Sequence, residues 1–212
     1  MCFSAAASFT AAGVTSAAGI VSLARVQARW QAPLAAVPLV FAAQQALEGA
    51  VWLTLPSRRA DAFALAFVVV AEVVWPAVAP LVAVLHEKSP VRRRIIWTLW
   101  AVGLAVAAYL ASAVVARPPA PAIVGHHIAY VGQDAQPWPV VAGYVAATAG
   151  AMLVSSRRVV AALGAVVAAG YVASSWFAAQ AFLSVWCFFA AIGSLTILVY
   201  FLARPRSSPS PA

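Results

Sequence analysis

The amino-acid sequence predicts an all-α membrane protein, a bundle of seven transmembrane helices with the N-terminus outside and the C-terminus in the cytoplasm. Three observations lead to this prediction. Of the 212 residues, 65% are hydrophobic and 8% are charged, whereas soluble domains are about 45–50% apolar and about 25% charged. The apolar residues form long runs, and roughly 20 such residues let a helix cross a bilayer. The basic residues stand in short clusters between these runs.

Five predicted helices follow directly from the charged residues, prolines and other loop residues that interrupt the apolar runs. They cover residues 5–24, 33–55, 62–85, 95–116 and 139–154. The last apolar run, residues 159–203, is too long for one crossing of the bilayer. Its polar residues, Ser174, Ser175, Gln180 and Ser184, place a turn near Gln180, because irregular backbone avoids the hydrocarbon core. We therefore predict two more helices, at about residues 159–178 and 182–203.

The positions of the basic residues predict the orientation, because short loops rich in Lys and Arg stay in the cytoplasm. With seven helices, most basic residues fall on the side of the C-terminus, which makes that side cytoplasmic: Arg25, Arg29, Lys88, Arg92, Arg93, Arg94, Arg157, Arg158, Arg204 and Arg206. Only Arg58, Arg59 and Arg117 fall on the other side. The helices form one predicted domain over residues 1–203, and residues 204–212 are expected to be a disordered cytoplasmic tail. The formal charge of +8 is explained by topology, so the expected partner is the lipid bilayer and not nucleic acid.

Two acidic residues, Glu48 and Glu72, fall inside predicted helices. A charged side chain within the membrane costs about 2.5–3.5 kcal/mol and is usually paired, in a cavity or functional. Gln44, Glu48 and Trp52 follow at intervals of four residues and share one helix face. We expect Glu48 to line a polar pocket that opens outward. Glu72 lies near the middle of its helix, before a predicted kink at Pro76. A protonated carboxyl bonded to a neighbouring helix is the structural alternative for both.

Both cysteines are predicted at the outer end, where three roles remain open for them. Cys2 and Cys187 could form a disulfide, bind a metal as thiolates together with His127 and Glu48, or remain unpaired packing residues. The outer loop, residues 117–138, is long enough to be functional or disordered. Its Ile123, His127 and Tyr130 are expected on one face of a short interfacial helix over the bundle, although an exposed pair such as His126 and His127 is more often simply solvated.

Several classes of protein are excluded by missing residues. The only lysine, Lys88, lies in a predicted loop, so the last helix cannot hold retinal as a Schiff base. The sequence contains neither a P-loop motif nor H-E-x-x-H, which removes support for a P-loop ATPase or a zincin. No histidine lies at membrane depth to ligate a haem within the bundle.

Four segments resemble a group of bacterial, largely actinobacterial, multi-pass membrane proteins of unassigned activity. The segments are Met1-Cys-Phe-Ser-Ala-Ala-Ala-Ser-Phe9, Gln44-Gln-Ala-Leu-Glu-Gly-Ala-Val-Trp52, His127-Ile-Ala-Tyr130 and Ser184-Val-Trp-Cys-Phe-Phe-Ala-Ala191. The group opens with M-C-F-S-A-x-A-S-F, and the resemblance covers nearly the whole chain. It implies a multi-helix protein of the bacterial cytoplasmic membrane and supplies no activity. The matching motif positions are Cys2, Ser8, Gln44, Glu48, Trp52, His127, Tyr130, Trp186 and Cys187.

Three functions remain as hypotheses, and the sequence does not decide whether the protein is an enzyme. The first is an outward-facing metal or redox site holding copper or zinc, with Cys2, His127, Cys187 and Glu48 as candidate ligands. The second is a proton-coupled transporter or small-solute channel that uses Glu48 and Glu72. The third is a structural or accessory membrane protein with a Cys2–Cys187 disulfide. Glu48, Glu72 and Tyr130 are the candidate catalytic residues, and a cofactor or small molecule has these candidate contacts: Gln44, Trp52, Tyr144 and Trp186.

Overall fold

A computed structural model describes residues 4–131, 136–177 and 181–204. These residues contain seven helices, which we label in chain order: α1 (Ala5–Ala24), α2 (Ala32–Thr54), α3 (Arg58–His86), α4 (Pro90–Ala116), α5 (Trp138–Val154), α6 (Arg158–Phe177) and α7 (Phe182–Leu202). Six of the seven are long and apolar enough to cross a membrane, and α5 is the shorter one. The prediction of a multi-helix chain of membrane type is therefore confirmed. The turn predicted near Gln180 lies outside the described residues, between the end of α6 and the start of α7.

Local sequence signals account for several helix ends. The hydroxyl of Ser4 accepts a hydrogen bond from the Ala7 amide and caps α1. At the start of α4, Ser89 is the cap residue and Pro90 occupies the first turn, where its missing N–H costs nothing. α3 and α5 each contain one π-helical stretch, Val69–Val74 and Ala146–Gly150. Such stretches divert backbone hydrogen bonds and are frequent at functional sites.

A buried carboxylate joins two of the loops at one end of the bundle. Glu87 follows α3 directly and is 5% exposed. Its oxygens accept hydrogen bonds from the Ser89 amide at 2.7 Å and from the amide and hydroxyl of Ser156, both at 2.6 Å. Burial by itself would raise the pKa of Glu87, but these hydrogen bonds, with one from Ser155, outweigh it and lower the pKa to about 2. The loop before α6 is thereby fastened to the loop between α3 and α4.

Arginine side chains make further contacts at the same end, which we call the basic end. Arg157 donates from Nε to the carbonyl oxygen of His86 at 3.0 Å, and its guanidinium lies 5.6 Å from the centre of the Trp30 ring. Arg92 donates from Nη1 to the carbonyl oxygen of Val154 at 3.1 Å. These bonds bring the start of α4 to the end of α5. The loops after α1, α3 and α5 therefore meet at one end of the bundle.

The opposite end carries a β-hairpin, which the sequence analysis did not predict. Strands β1 (Ala120–Val124) and β2 (His127–Val131) pair antiparallel, with Val124 opposite His127. Gly125 has a φ of 62°, which suits the first central position of a two-residue turn. The expected short helix over Ile123, His127 and Tyr130 is wrong, because β-branched residues flank a glycine that can adopt this turn. We call this end of the bundle the hairpin end.

The hairpin packs onto the bundle through one face of β2. Ile128 is fully buried and Tyr130 is 8% exposed, and the Tyr130 ring stacks on Phe67 of α3 with centroids 4.9 Å apart. Because side chains alternate along a strand, His127 lies on the other face of β2. The pKa of this half-buried histidine is lowered, chiefly by burial. The hairpin therefore covers the bundle with apolar side chains.

Candidate functional site

Glu48 of α2 is fully buried inside the helical bundle. Its carboxyl accepts a hydrogen bond from the hydroxyl of Ser184, near the start of α7. Apolar side chains pack together around this level of the bundle, among them Val51, Phe67 and Tyr130. The structure thus encloses Glu48 between helices, where the sequence analysis expected an outward-opening pocket. Trp52, predicted on the same wall as Glu48, is half-buried.

Gln44, one helical turn from Glu48, connects α2 to two other helices. Its Oε1 accepts a hydrogen bond from Trp75 Nε1 of α3 at 2.8 Å. Its Nε2 donates to Cys187 Sγ of α7 at 3.0 Å. All three residues are buried, and Cys187 is a free thiol. Because the amide oxygen and the amide nitrogen of this buried side chain are each hydrogen-bonded to a different helix, Gln44 fixes the positions of α2, α3 and α7 relative to one another.

Glu72 lies within the π-helical stretch of α3, and the backbone there explains the position of Tyr144. The Trp75 amide donates to the carbonyl oxygen of Val70, so it is not available to Ala71, its usual α-helical partner. Pro76 has no amide hydrogen to offer instead. The hydroxyl of Tyr144 from α5 donates to this Ala71 carbonyl oxygen. The Tyr144 side chain of α5 therefore satisfies the carbonyl group that the π-helical stretch leaves without a backbone donor, and it stabilises the stretch that carries Glu72.

The Glu72 side chain is 9% exposed, and its Oε2 has no hydrogen-bond partner among the described residues. The Cys187 thiol interacts electrostatically with both Glu48 and Glu72, and the Tyr144 hydroxyl interacts with Cys187 and Glu72. The two carboxyls, the thiol and the phenol therefore form one group. With the hydrogen-bonding residues Gln44, Trp75 and Ser184, we call it the interior polar cluster. No Lys or Arg is buried in the described part of the chain.

A cavity of about 40 Å³ adjoins the interior polar cluster. Trp75 and Cys187 belong to both the cluster and the cavity wall. The aromatic part of the wall is completed by Phe41, whose ring stacks on Trp75 with centroids 4.2 Å apart, and by Trp186. The other lining residues are small, aliphatic or hydroxyl-bearing: Ala79, Thr148, Met152, Leu163, Val167 and Ala190.

Further buried polar atoms line the contacts of α1, α2 and α6. Both amide atoms of Gln45 and the hydroxyls of Ser8 and Ser174 have no hydrogen-bond partner among the described residues. Their side chains are fully buried. A buried polar group left unpaired costs about 1–3 kcal/mol, so each of these positions calls for an explanation beyond apolar packing.

The sequence analysis missed Ser184 and Trp75 as residues of the interior polar cluster. Ser184 was taken as a marker of the turn before the last helix, and Trp75, next to the predicted kink at Pro76, was given no role in a site. The sequence did contain a pattern that indicates Ser184. Gln44 and Glu48 are one helical turn apart on α2, and Ser184 and Cys187 are about one turn apart on α7. Matching spacings in two helices of opposite direction allow the four side chains to meet in pairs.

Of the four predicted metal ligands, only Glu48 and Cys187 come together in the described residues. Cys2 lies outside these residues. His127 is in the hairpin, on the face away from Ile128, while Cys187 and Glu48 belong to the interior polar cluster. Within residues 4–131, 136–177 and 181–204, no three His, Cys, Asp or Glu side chains are placed to hold a metal ion. Trp186, a predicted cofactor contact, donates from Nε1 to the carbonyl oxygen of Val167 at 2.9 Å.

The model of a protein family matches the whole chain, residues 1–212. It is described as a family of unknown function, DUF6629. The chain belongs to this family. No curated protein and no solved structure matches it. Membership of DUF6629 therefore brings no activity with it, and the case for a function rests on the residues of the bundle interior.

Proposed function

We propose that this chain is a seven-span protein of the bacterial cytoplasmic membrane, and that its interior polar cluster is the proton-binding site of a transporter for small solutes. The observation that carries the proposal is the Glu72 carboxyl, which is buried in the π-helical stretch of α3 and whose Oε2 has no hydrogen-bond partner in the described residues. A second buried carboxyl, Glu48, belongs to the same cluster. Carboxyls at membrane depth are the usual proton carriers of pumps and transporters.

A purely structural role explains Glu48 better than Glu72. A protonated or ionised Glu48 bonded to Ser184 simply links α2 to α7. Glu72 makes no comparable link, and its bulge gives up backbone hydrogen bonds that a regular helix would keep. Backbone arrangements that cost stability, such as this π-helical stretch, cluster at functional sites. We infer that the stretch is retained because the Glu72 carboxyl changes its protonation state. This difference favours transport over a structural or accessory role.

The seventh span and the orientation are supported by the way the helices meet. Arg92 at the start of α4 bonds to Val154 at the end of α5, and Glu87 bonds to Ser156 just after α5. α5 therefore ends at the basic end, while the hairpin that precedes it in the chain lies at the other end, which supports a crossing by α5. Trp138 and Trp176, at the hairpin end, are 80% and 82% exposed. Exposed tryptophans are typical of the membrane–water interface. A cytoplasmic basic end puts the N-terminus outside.

Proton movement into proteoliposomes tests the function directly. A potassium diffusion potential, negative inside, is imposed on vesicles with a trapped pH-sensitive dye, with and without candidate solutes. We expect proton uptake with the unchanged protein and its loss in Glu72→Gln, with Glu48→Gln strongly reduced. Asp61→Asn is the matched control, because it removes a carboxyl that is exposed at the start of α3. Uptake that is the same in Glu72→Gln and in the unchanged protein would refute the proposal.

The orientation has its own test, and so does the metal hypothesis. In a background without cysteines, single cysteines are placed at Ser57 and Ser89 and labelled with an impermeant reagent from outside. We expect labelling at Ser57 only, and labelling at Ser89 only would reverse the topology. Elemental analysis of the purified protein then distinguishes transport from a site built on Cys2, His127 and Cys187. A stoichiometric copper or zinc ion that is lost in His127→Ala would favour the metal site.

A further inference from the structure

The cavity that adjoins the interior polar cluster has the size of a very small molecule. Its volume is about 40 Å³, whereas a buried water needs about 10–15 Å³ and a cavity of roughly 150 Å³ holds benzene. On this scale the cavity accepts about two or three non-hydrogen atoms. All the residues of its wall are buried, so the space lies inside the bundle.

Four side chains in the wall can form hydrogen bonds, and each is bonded to another part of the protein. Trp75 donates its indole N–H to the Gln44 side chain, and Cys187 accepts a hydrogen bond from the same side chain. Trp186 donates to a backbone carbonyl oxygen of α6, and the Thr148 hydroxyl donates to one of α5. A buried water needs two to four polar partners. Because these groups are engaged elsewhere, the wall presents apolar surface to an occupant.

An apolar wall of this kind selects uncharged, non-polar molecules. A polar or charged molecule would lose its hydration on entry without replacement. A non-polar molecule leaves water favourably, and in a space of its own size it gains dispersion contacts on every side. Aromatic rings and the polarisable sulfur of Met152 contribute to these contacts.

We infer that the cavity between Phe41, Trp75 and Trp186 binds one non-polar diatomic molecule of the size of dioxygen. The site uses neither of the buried carboxyls, so the inference goes beyond the proposed function and does not depend on it. The occupant would contact Trp75 and Cys187, the two partners of Gln44. Its binding would therefore stabilise the contacts that join α2, α3 and α7.

Dioxygen itself is the probe that tests the inference, because it is paramagnetic and shifts the fluorine resonances of nearby fluorotryptophan. Spectra of the fluorotryptophan-labelled protein in detergent micelles are recorded at increasing oxygen pressure, with helium as the reference gas. We expect the shifts of Trp75 and Trp186 to saturate, because they come from one site. The exposed Trp138 and Trp176 should shift in proportion to pressure, because they meet only dissolved gas. Proportional shifts at Trp75 and Trp186 as well would overturn the inference.

Competing molecules test the size and the polarity of the site. Nitrogen gas, a non-polar diatomic molecule, should reduce the saturable shift. Methanol also has two non-hydrogen atoms but is polar, and benzene is non-polar but needs a cavity of roughly 150 Å³. Neither of these should compete. Competition by methanol would indicate a polar site and competition by benzene a larger space, and either result would contradict the inference.

Two pairs of variants test the position of the site. Ala190→Val adds two carbons to the wall, and Ala105→Val adds them at an exposed position of α4. Val167→Ile and Val172→Ile are a milder pair on α6, because Val167 lines the cavity and Val172 is exposed. We expect Ala190→Val to lose the saturable shift and Val167→Ile to weaken it, with both controls unchanged. The second pair keeps the test valid if Ala190→Val does not fold. An undiminished saturable shift in Val167→Ile and in folded Ala190→Val would place the oxygen elsewhere and refute the inference.

The result is independent of the proton-uptake assay. If dioxygen does not bind while proton uptake depends on Glu72, the cavity is only a packing void and the proposed function stands. If dioxygen binds but proton uptake is the same in Glu72→Gln, the proposed function is wrong and the site for a non-polar molecule stands.

Discussion

The hydrogen bond from Tyr144 to the Ala71 carbonyl oxygen should stabilise the bulge that carries Glu72. Tyr144→Phe removes the hydroxyl and leaves this oxygen with no donor, because the Trp75 amide is used by Val70 and Pro76 has none. An unsatisfied buried carbonyl costs about 1–3 kcal/mol. We therefore expect the free energy of unfolding of Tyr144→Phe to fall by about 2 kcal/mol, measured by denaturant titration in mixed micelles.

Tyr171→Phe is the matched control for this substitution. Both tyrosine rings lie 5.3 Å from the Trp186 ring, centroid to centroid, and the Tyr171 hydroxyl makes no hydrogen bond in the described part of the chain. Its loss should change the free energy of unfolding by less than about 0.5 kcal/mol. Each substitution keeps an aromatic ring beside Trp186 and removes only a hydroxyl. The two variants therefore differ in whether a hydrogen bond, that of Tyr144 to Ala71, is lost.

A double-mutant cycle tests the cause of the effect. Pro76→Ala restores an amide hydrogen that can bond to the Ala71 or Glu72 carbonyl oxygen and shorten the π-helical stretch. In that background, Tyr144→Phe should cost less than about 1 kcal/mol, which gives a coupling energy of about 1 kcal/mol or more. If Tyr144→Phe costs the same in both backgrounds, the Tyr144 bond does not compensate for the bulge, and our account of the Glu72 position is wrong.

Two further predictions concern packing and the basic end. A Cβ at Gly103 of α4 would lie 2.0 Å from the Pro76 carbonyl oxygen, so α3 and α4 would have to separate by about 1 Å to reach even a 3.0 Å contact. Gly103→Ala should therefore lower the midpoint of thermal unfolding in detergent by the equivalent of about 1–3 kcal/mol. Gly13→Ala, with nothing within 4 Å, should be neutral or stabilising by up to about 1 kcal/mol; an equal loss in both would contradict the close approach. Glu87→Gln should cost about 2 kcal/mol at neutral pH, because charge-assisted bonds to Ser156 are lost. Since the pKa of Glu87 falls from its usual 4.5 to about 2 on folding, its contribution is complete above about pH 4.5 and disappears as the pH falls towards 2. The stability of Glu87→Gln should therefore fall less steeply than that of the unchanged protein over this range, and parallel curves would refute the assignment.

The sequence by itself determined where the helices lie, because the ability of a segment to form a membrane-spanning helix is a local property. Whether a segment can cross a membrane depends on the summed hydropathy and length of that segment alone. The predicted helix over residues 5–24 coincides with α1, and Ser174 and Ser184 marked the break between the last two helices. The hairpin was missed because prolines and histidines in a long loop indicate several structures equally well, and only packing of Ile128 and Tyr130 on the bundle selects one.

The tertiary structure alone decided which side chains meet. Glu48, Gln44 and Cys187 could be placed at similar depth from the sequence, but depth does not give the rotation of each helix about its axis. That rotation depends on close packing at positions such as Gly103 and on the diverted backbone bonds at Pro76. It turns Glu48 towards Ser184, Gln44 between Trp75 and Cys187, and Glu72 towards Tyr144. These pairings join residues far apart in the chain, so no local pattern of residues could specify them.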